Sequence, residues 1–583
     1  MPKRLTALLA ATFLVLAACG DGDGGGGGGD AGQDTGGGEP ARGGTLVVAL
    51  TPPLPAPNTL NPAVSTQGTM QQAAGLLFSG LVEIDDKARP VPELATRWEV
   101  RDGGRTYEFT LAEGVKWHDG RPFTAADVKF SFEAALLRNH ARTQTSIGPA
   151  LAQPCAAPPA PPSCPSIVAT EATGGEPAKV TFRFANPYAP LLQQLTHTDG
   201  TIIPKHVWDG KPPPTSATPW PAGQNPVGTG PFKFVSHNAS EITFERNADY
   251  FRKPLPYLDR VVQRAVPTPS AQVQALTRGE VDWVWNVRGQ DLPGLRGNPN
   301  VRLHTSSQSA GGSTNCVLKL TFNMAAKGAP PAQVRAGAAP PHPILGDLKV
   351  RQALGHALKL DEYVEKVLQN DGGRLAMGPI HSAMGWAHAE APIPKFDQAQ
   401  ARRLLDEAGW TSAAEGRTRT KAGRPLVVDM YHFAGNEAAL GTKLQQDLAL
   451  VGVEVQLRQV DAAGKNALYS GRNFDTIIVS NCQATDPEIG VRRFYHSGAI
   501  TGAPFTNGAG YRNTDVDRRF EQAAERPREA DRGPLYRQAQ EQIAKDLPYL
   551  WLLETVTNRA FTTKCQGFKP YTGHFAESAS CRK

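Results

Sequence analysis

The stretch "GDGDGGGGGGDAGQDTGGGEPARGG", residues 20–44, constrains this chain more than any other. It has almost no apolar surface to bury, so residues 19–43 are expected to form a flexible tether. About 25 such residues reach a mean distance of roughly 25–30 Å. Whatever folds must begin at Gly44. The roughly 540 residues that follow exceed what one hydrophobic core normally serves, which predicts at least two lobes.

The segment before the tether points to a compartment. Lys3 and Arg4 precede the apolar run "LTALLAATFLVLAA", too short to span a bilayer comfortably. The run ends at "LAAC", Leu16 to Cys19, which resembles the lipobox of a bacterial lipoprotein. That resemblance implies a signal peptide over 1–18. It also implies a diacylated Cys19 that holds the protein on the outer face of the cytoplasmic membrane, in contact with the lipid bilayer.

The formal charge of +6 is modest and its basic residues are scattered, so nucleic acid is not an expected partner. Of seven cysteines, Cys19 is committed to lipid, and the six others form an even set in an oxidising compartment. Local pairing is cheapest in chain entropy. It joins Cys155 to Cys164 across "AAPPAPPS" and Cys565 to Cys581, and leaves Cys316 for Cys482. The C-terminal loop so closed is worth ~3 kcal/mol. No CxxC spacing occurs, so neither a metal centre nor a cofactor is expected.

The periodicities alternate between strand and helix, which makes the fold class α/β. "WEVRDGGRTYEFTLAEG" reads as a hairpin that buries Trp98, Val100, Tyr107, Phe109 and Leu111 on one face. "GVEVQLRQV" is a half-buried strand and "FDTIIVS" a central one. "FDQAQARRLLDEAGW" is a helix capped by Asp397 and stopped by Gly409. "GDLKVRQALGHALKLDEYVEKVL" reads as two helices opened by Asp347 and Asp361. The proline- and alanine-rich stretches 153–166 and 325–346 are expected as surface excursions. No internal repeat is visible.

"GVKWHDGRPFTAADVKFSFEAAL", residues 114–136, places His118 beside Asp119 and invites a catalytic or metal reading. The residues favour a structural one. Asp119-Gly120 and Arg121-Pro122 are turn chemistry, Thr124 is a natural N-cap, and Asp127 sits where a capping-box acid belongs.

From Pro92 to Leu136 the sequence resembles the signature of the family 5 extracellular solute-binding proteins of ABC importers. "TLNP" (59–62), "LFSGLVEID" (77–85), "NPVGTGPFKF" (225–234), "ALTRGEVDWVW" (275–285), "LKVRQALGHAL" (348–358), "ARRLLDEAGW" (401–410) and "YRQAQEQIAKDLPYLWL" (536–552) continue the likeness in the family's order. The resemblance implies a hinged two-lobed periplasmic-binding-protein fold of the cluster C type, with an extra domain on the first lobe. The first lobe would take 44–76, 195–305 and 536–583, the extra domain 77–194, and the second lobe 306–535. The hinge would pass near "SSQSAGGSTN" (306–315) and again within 525–540. The implied function is capture of oligopeptides or dipeptides, without chemistry, by a monomer that delivers them to a membrane permease.

The expected cleft residues come from five places. Asn58, Thr59, Leu60 and Asn61 lie around "TLNP", and Val227, Gly228, Thr229 and Gly230 in the "VGTG" loop; each set is either a ligand loop or a plain turn. Trp285 is a cleft wall or a core residue, and Trp386 lies in a loop. The last segment is "NCQATDP", with Cys482, Gln483, Thr485 and Asp486. Peptide binders that resemble this chain carry there an Asp that neutralises the ligand's amino terminus. Here that place falls to Gln483, and a desolvated ammonium without an anion is costly. Either Asp486 or Glu488 substitutes, or the ligand has no free α-amine at this end, or the register is shifted by a residue or two.

A secreted hydrolase would need GxSxG, HExxH or a phosphate loop, and the chain has none, so it is not expected to be an enzyme. A sensor of the same fold, or a receptor for a metal chelate or glycoside, are the other readings. His381, His388 and His432 would be the residues to touch a chelate.

Overall fold

The computed structural model describes residues 40–136, 151, 166–196, 200–208, 211, 225–305 and 315–582, less positions 53, 55, 57–59, 61, 63–67, 86–88, 367, 369–371, 413, 415, 416, 434, 435, 504, 556 and 570–573. The signal segment, Cys19, the Cys155–Cys164 bridge, and Asn58, Thr59 and Asn61 therefore lie outside the described residues.

Two sheets organise the chain into two α/β lobes. In the first, the apolar strand Thr45–Leu50 sits at the centre because both its faces can be buried. It pairs in parallel with Arg260–Ala265 on one side and Trp283–Val287 on the other, with Leu46 opposite Val261 and Val48 opposite Trp283. The helix Pro269–Thr277 makes the crossover between those flanking strands. Its N-cap is Thr268, whose hydroxyl accepts the Ala271 N–H at 3.2 Å. Asn558–Thr562 and Val301–Thr305 extend the sheet at one edge, and Glu241–Arg246 and Phe232–His237 at the other.

The second sheet is centred on Cys316–Phe322, which is buried along its whole length. Thr476–Cys482 and Tyr549–Thr555 flank it in antiparallel register. "FDTIIVS" thus supplies a central strand and "GVEVQLRQV" the outer strand Glu454–Gln459. Helices behave as their caps predict. Asp397 accepts the Gln400 N–H at 2.8 Å and Asp347 the Lys349 N–H at 2.9 Å. Asp361 instead falls within the first turn of Leu360–Lys366.

A four-stranded antiparallel sheet of Ala95–Arg101, Thr106–Leu111, Lys179–Arg183 and Ser166–Thr170 lies within residues 77–194 and shares one core with the first lobe. Its hairpin pairs Trp98 with Phe109 and Val100 with Tyr107. Tyr107, Phe109 and Leu111 are buried as expected. Val100 is 49% exposed, because its strand is at the sheet edge and no described residue covers that end.

The C-terminal segment departs from the expected boundaries. Residues 536–555 belong to the second lobe: Tyr536, Ala539, Ile543 and Tyr549 fill its core, and Tyr549–Thr555 is hydrogen-bonded to Cys316–Phe322. The chain therefore crosses between lobes after Thr305 and again between Thr555 and Asn558, not within 525–540. The second crossing is so short that it holds the two sheet edges within ~10 Å there. Residues 325–346 are likewise more than a surface excursion. They contain the helix Pro331–Ala336 and bury Ala325, Ala329 and Val334 against Ile500.

Candidate functional site

The opening motif is built into the scaffold. Asp127 accepts the Thr124 N–H and hydroxyl, both at 2.9 Å, and the Trp117 indole N–H at 3.3 Å, closing the capping box expected from sequence. His118 faces the "VGTG" loop: its Nδ1 accepts the Gly228 N–H at 3.2 Å and its Nε2–H donates to the Gly230 carbonyl at 3.1 Å. Both ring nitrogens are engaged by a neutral imidazole. Burial takes its pKa down to about 4 against the pull of that carbonyl. The loop's glycines answer to the same packing. A Cβ on Gly228 would collide with the Leu77 carbonyl, so the close backbone approach here is to Leu77. Thr229 is buried with its hydroxyl unpartnered among the described residues, Val227 is half-buried, and Leu60 fills the first core.

The second-lobe edge carries the "NCQATDP" loop. Cys482 is bridged to Cys316, its cross-strand partner, at the end of the sheet nearest the crossings. The other described bridge joins Cys565 to Cys581. Gln483 is fully buried. Its Oε1 accepts the His381 N–H at 2.8 Å and its Nε2 donates to the Pro379 carbonyl at 2.7 Å, so the side-chain amide fastens the 379–381 loop. Asp486 is held by the Arg532 fork at 2.6 and 2.8 Å and accepts the Glu488 N–H at 2.9 Å as an N-cap. Glu488 pairs with Arg492, and burial raises its pKa. Glu554 accepts Arg374 Nε at 2.7 Å and the Ser382 N–H at 2.7 Å. Each of these three carboxylates already has an arginine.

Trp386 packs edge-on against Tyr536 and under Arg532, whose guanidinium lies 5.2 Å from its ring. Trp386 and Asp486 are thus brought together through one arginine. His381, His388 and His432 are each tied to neighbouring backbone, through Ala383 N–H, the Ile380 carbonyl and the Phe433 carbonyl. Among the described residues no group of three His, Cys, Asp or Glu is placed to hold a metal ion.

On the first-lobe edge, Trp283 and Trp285 share a face, with ring centroids 5.7 Å apart. Trp283 is core. Trp285 is half-buried and lies 4.8 Å from the guanidinium of Arg559, a residue that the sequence reading did not single out. The only signal for it is an arginine set into the otherwise weakly polar strand "NRAFT".

Among the described residues the lobes touch in several places. Thr485 Oγ1 donates to Gln193 Oε1 at 2.8 Å, and the Ala189 N–H donates to the Ala524 carbonyl at 2.9 Å. Gly289 of the first lobe abuts the Leu368 carbonyl of the second so closely that a Cβ would not fit.

A family model described as bacterial extracellular solute-binding proteins, family 5 Middle, matches residues 89–502. The oligopeptide-binding protein AppA of Bacillus subtilis is 26% identical over 580 residues, covering 98% of this chain and 97% of its own. The glutathione-binding protein GsiB of Pectobacterium atrosepticum is 26% identical over 531 residues, covering 88% and 89%. The structure of B. subtilis AppA in complex with a nonapeptide matches with a TM-score of 0.74 at 23% identity, over 94% of this chain and 100% of that one. NikZ of Campylobacter jejuni in complex with Ni(L-His) gives 0.71 at 23%, over 91% and 96%. These structures carry the two-lobed fold.

Proposed function

The chain belongs to the family 5 bacterial extracellular solute-binding proteins, and we propose that within that family it is the lipid-anchored receptor of an ABC importer, capturing oligopeptides or dipeptides by closure of its lobes. One observation supports this reading: two separate sheets are joined by a crossing between Thr555 and Asn558, and side chains of one lobe bond to the other, as Thr485 does to Gln193. Such contacts exist only when the lobes are together, so they contribute to the closed form and to the affinity of any solute trapped there. The work is binding and release.

Anchoring rests on Cys19 and its lipobox. No helix among the described residues is long and apolar enough to cross a membrane. A permease partner and a monomeric state are part of this proposal, and the family likeness is what supports them. The peptide reading draws on AppA and GsiB, whose names give oligopeptide and glutathione as what those proteins bind.

A second reading has its own support. Gln483 is fastened to the 379–381 loop and Asp486 is held by Arg532, so neither waits for an amino terminus. A solute without a free amine, down to a small non-peptide, fits that edge better than a zwitterionic peptide.

The test is a titration of the soluble form, residues 20–583, with a random peptide pool, followed by intrinsic tryptophan fluorescence. A saturable change is expected. A flat response to peptides together with a response to non-peptide solutes would replace the first reading with the second. Co-purification of a permease would separate importer from sensor.

A further inference from the structure

Arg559 stands apart from the other buried arginines of the described residues in having all three of its side-chain nitrogens unpartnered. Arg351 gives its donors to the carbonyls of Leu345, Asp546 and Leu547, and Arg532 gives its fork to Asp486. Arg559 is 0% exposed, yet its Nε, Nη1 and Nη2 have no hydrogen-bond partner among the described residues. Its company is the Trp285 ring at 4.8 Å and, directly across the strand pair, His304. A buried guanidinium without a counter-ion is costly, and one aromatic face offsets only part of that cost. The position adds meaning. Arg559 is the second residue of its strand after the crossing, close in sequence to Thr555, whose hydroxyl bonds to the carbonyl of the disulfide-bridged Cys316. Arg559 therefore sits at the end of its strand nearest the crossing between the lobes. A planar fork of N–H donors matches one ligand chemistry best, a carboxylate bound bidentately.

The opposite edge has the complementary lack. Asp486, Glu488 and Glu554 are each matched to an arginine of their own lobe. Among these residues the solute edge thus offers an uncommitted cation and no uncommitted anion.

We propose that Arg559, backed by Trp285, receives a carboxylate of the solute, so that preferred ligands are acids held through that carboxylate rather than through a free amino group. This rests on the reading that the edge between the lobes takes the solute, and narrows its class. With the anion present, His304 faces a neutralised pair instead of a lone cation.

The test is calorimetric titration of the soluble form with tetra-alanine in four versions: free ends, N-acetylated, C-amidated, and capped at both ends. Thermal shifts with hexanoate and hexanamide run in parallel. C-amidation is expected to weaken binding about 10- to 100-fold, the range of a charge-assisted pair, and N-acetylation to leave it little changed. In Arg559→Met the acid and amide forms should bind alike; Arg559→Lys, which keeps the charge but loses the fork, should fall between. If the peptides fail to bind but hexanoate stabilises the wild type and not Arg559→Met, the carboxylate site stands and the peptide reading falls. If peptides bind equally as acid and amide, the carboxylate site falls and the peptide reading stands. Acid preference retained in Arg559→Met, or no response to any carboxylate probe, also overturns the proposal.

Discussion

Replacing Asp486 with Asn separates two roles for one carboxylate. In the structure its two oxygens meet Arg532 at 2.6 and 2.8 Å, with the side chains 2% and 5% exposed. The amide that replaces it would keep an oxygen for the Glu488 N–H, so the helix cap survives and adds little to the loss. What disappears is the charge that balances a buried guanidinium. Leaving one partner of such a pair unbalanced costs roughly 3–5 kcal/mol. Arg532 keeps its bonds to the Ala523 carbonyl and the Tyr536 hydroxyl, which places Asp486→Asn toward the lower end. Urea unfolding read through Trp386 fluorescence measures the loss. Adding Arg532→Met to Asp486→Asn should return most of it, because the double variant buries no lone charge. The ratio of affinities for free and N-acetylated peptides should be the same in Asp486→Asn as in the wild type. A loss below ~1 kcal/mol, or a selective loss of affinity for free amino termini, would refute the assignment of Asp486 to Arg532.

Three further outcomes are expected. Arg351→Met should lower stability by at least ~3 kcal/mol, since carbonyls at the end of the helix Glu529–Asp546 and in the turn before Leu348 lose their donor; denaturant unfolding checks it. Thr485→Val removes the hydroxyl that reaches Gln193, worth ~1 kcal/mol, and should shift the closed population and solute affinity about fivefold, read by small-angle scattering and titration. Stability against pH should peak near pH 6.5 with unequal limbs. Burial holds His118, His304 and His381 down to about 4, so the unfolded chain binds protons first and stability falls as pH drops from 6.5 toward 4. His574 is opposed by burial but raised to about 9 by Glu93, so its contribution is complete below 6.5 and lost as pH rises through 9. Glu577, despite burial, is held at about 2 by Lys569, His574 and Arg252, so its contribution is lost only as pH falls from 4.5 toward 2. Thermal melts across this range should show a steeper acid limb, where three histidines act together, than alkaline limb, where one does.

The elements that local chemistry governs were legible in the sequence. Asp397, Asp347 and Thr124 cap helices because a short polar side chain before an apolar periodicity has one good use. The turn after Arg101 runs through Asp102, Gly103 and Gly104 at positive φ, as its residues announce. The lobe boundary was not legible. "LPYLWLLETVTNRAFT" is a nearly continuous strand pattern, and nothing in it marks Thr555 as the end of one sheet and Asn558 as the start of another. That change depends on partners more than two hundred residues away. Val100 misleads for a related reason, since alternation gives the face of a strand but not whether anything covers it.

The candidate site divides in the same way. Gly228 and Gly230 signal a close backbone approach, which is real, but the sequence cannot say to what. Gln483 was legible as the absence of a charge, and the structure adds why it is fixed, through His381 and Pro379. Arg559 was illegible, because its meaning lies in partners it lacks among the described residues.

The central claim is that the lobes enclose a solute of the peptide class. Native mass spectra of residues 20–583, purified gently from a bacterial periplasm, test it most directly. The account predicts a ladder of bound masses spaced like amino-acid residues. A single discrete non-peptide mass, or an empty protein that takes up nothing from a peptide pool, would contradict it.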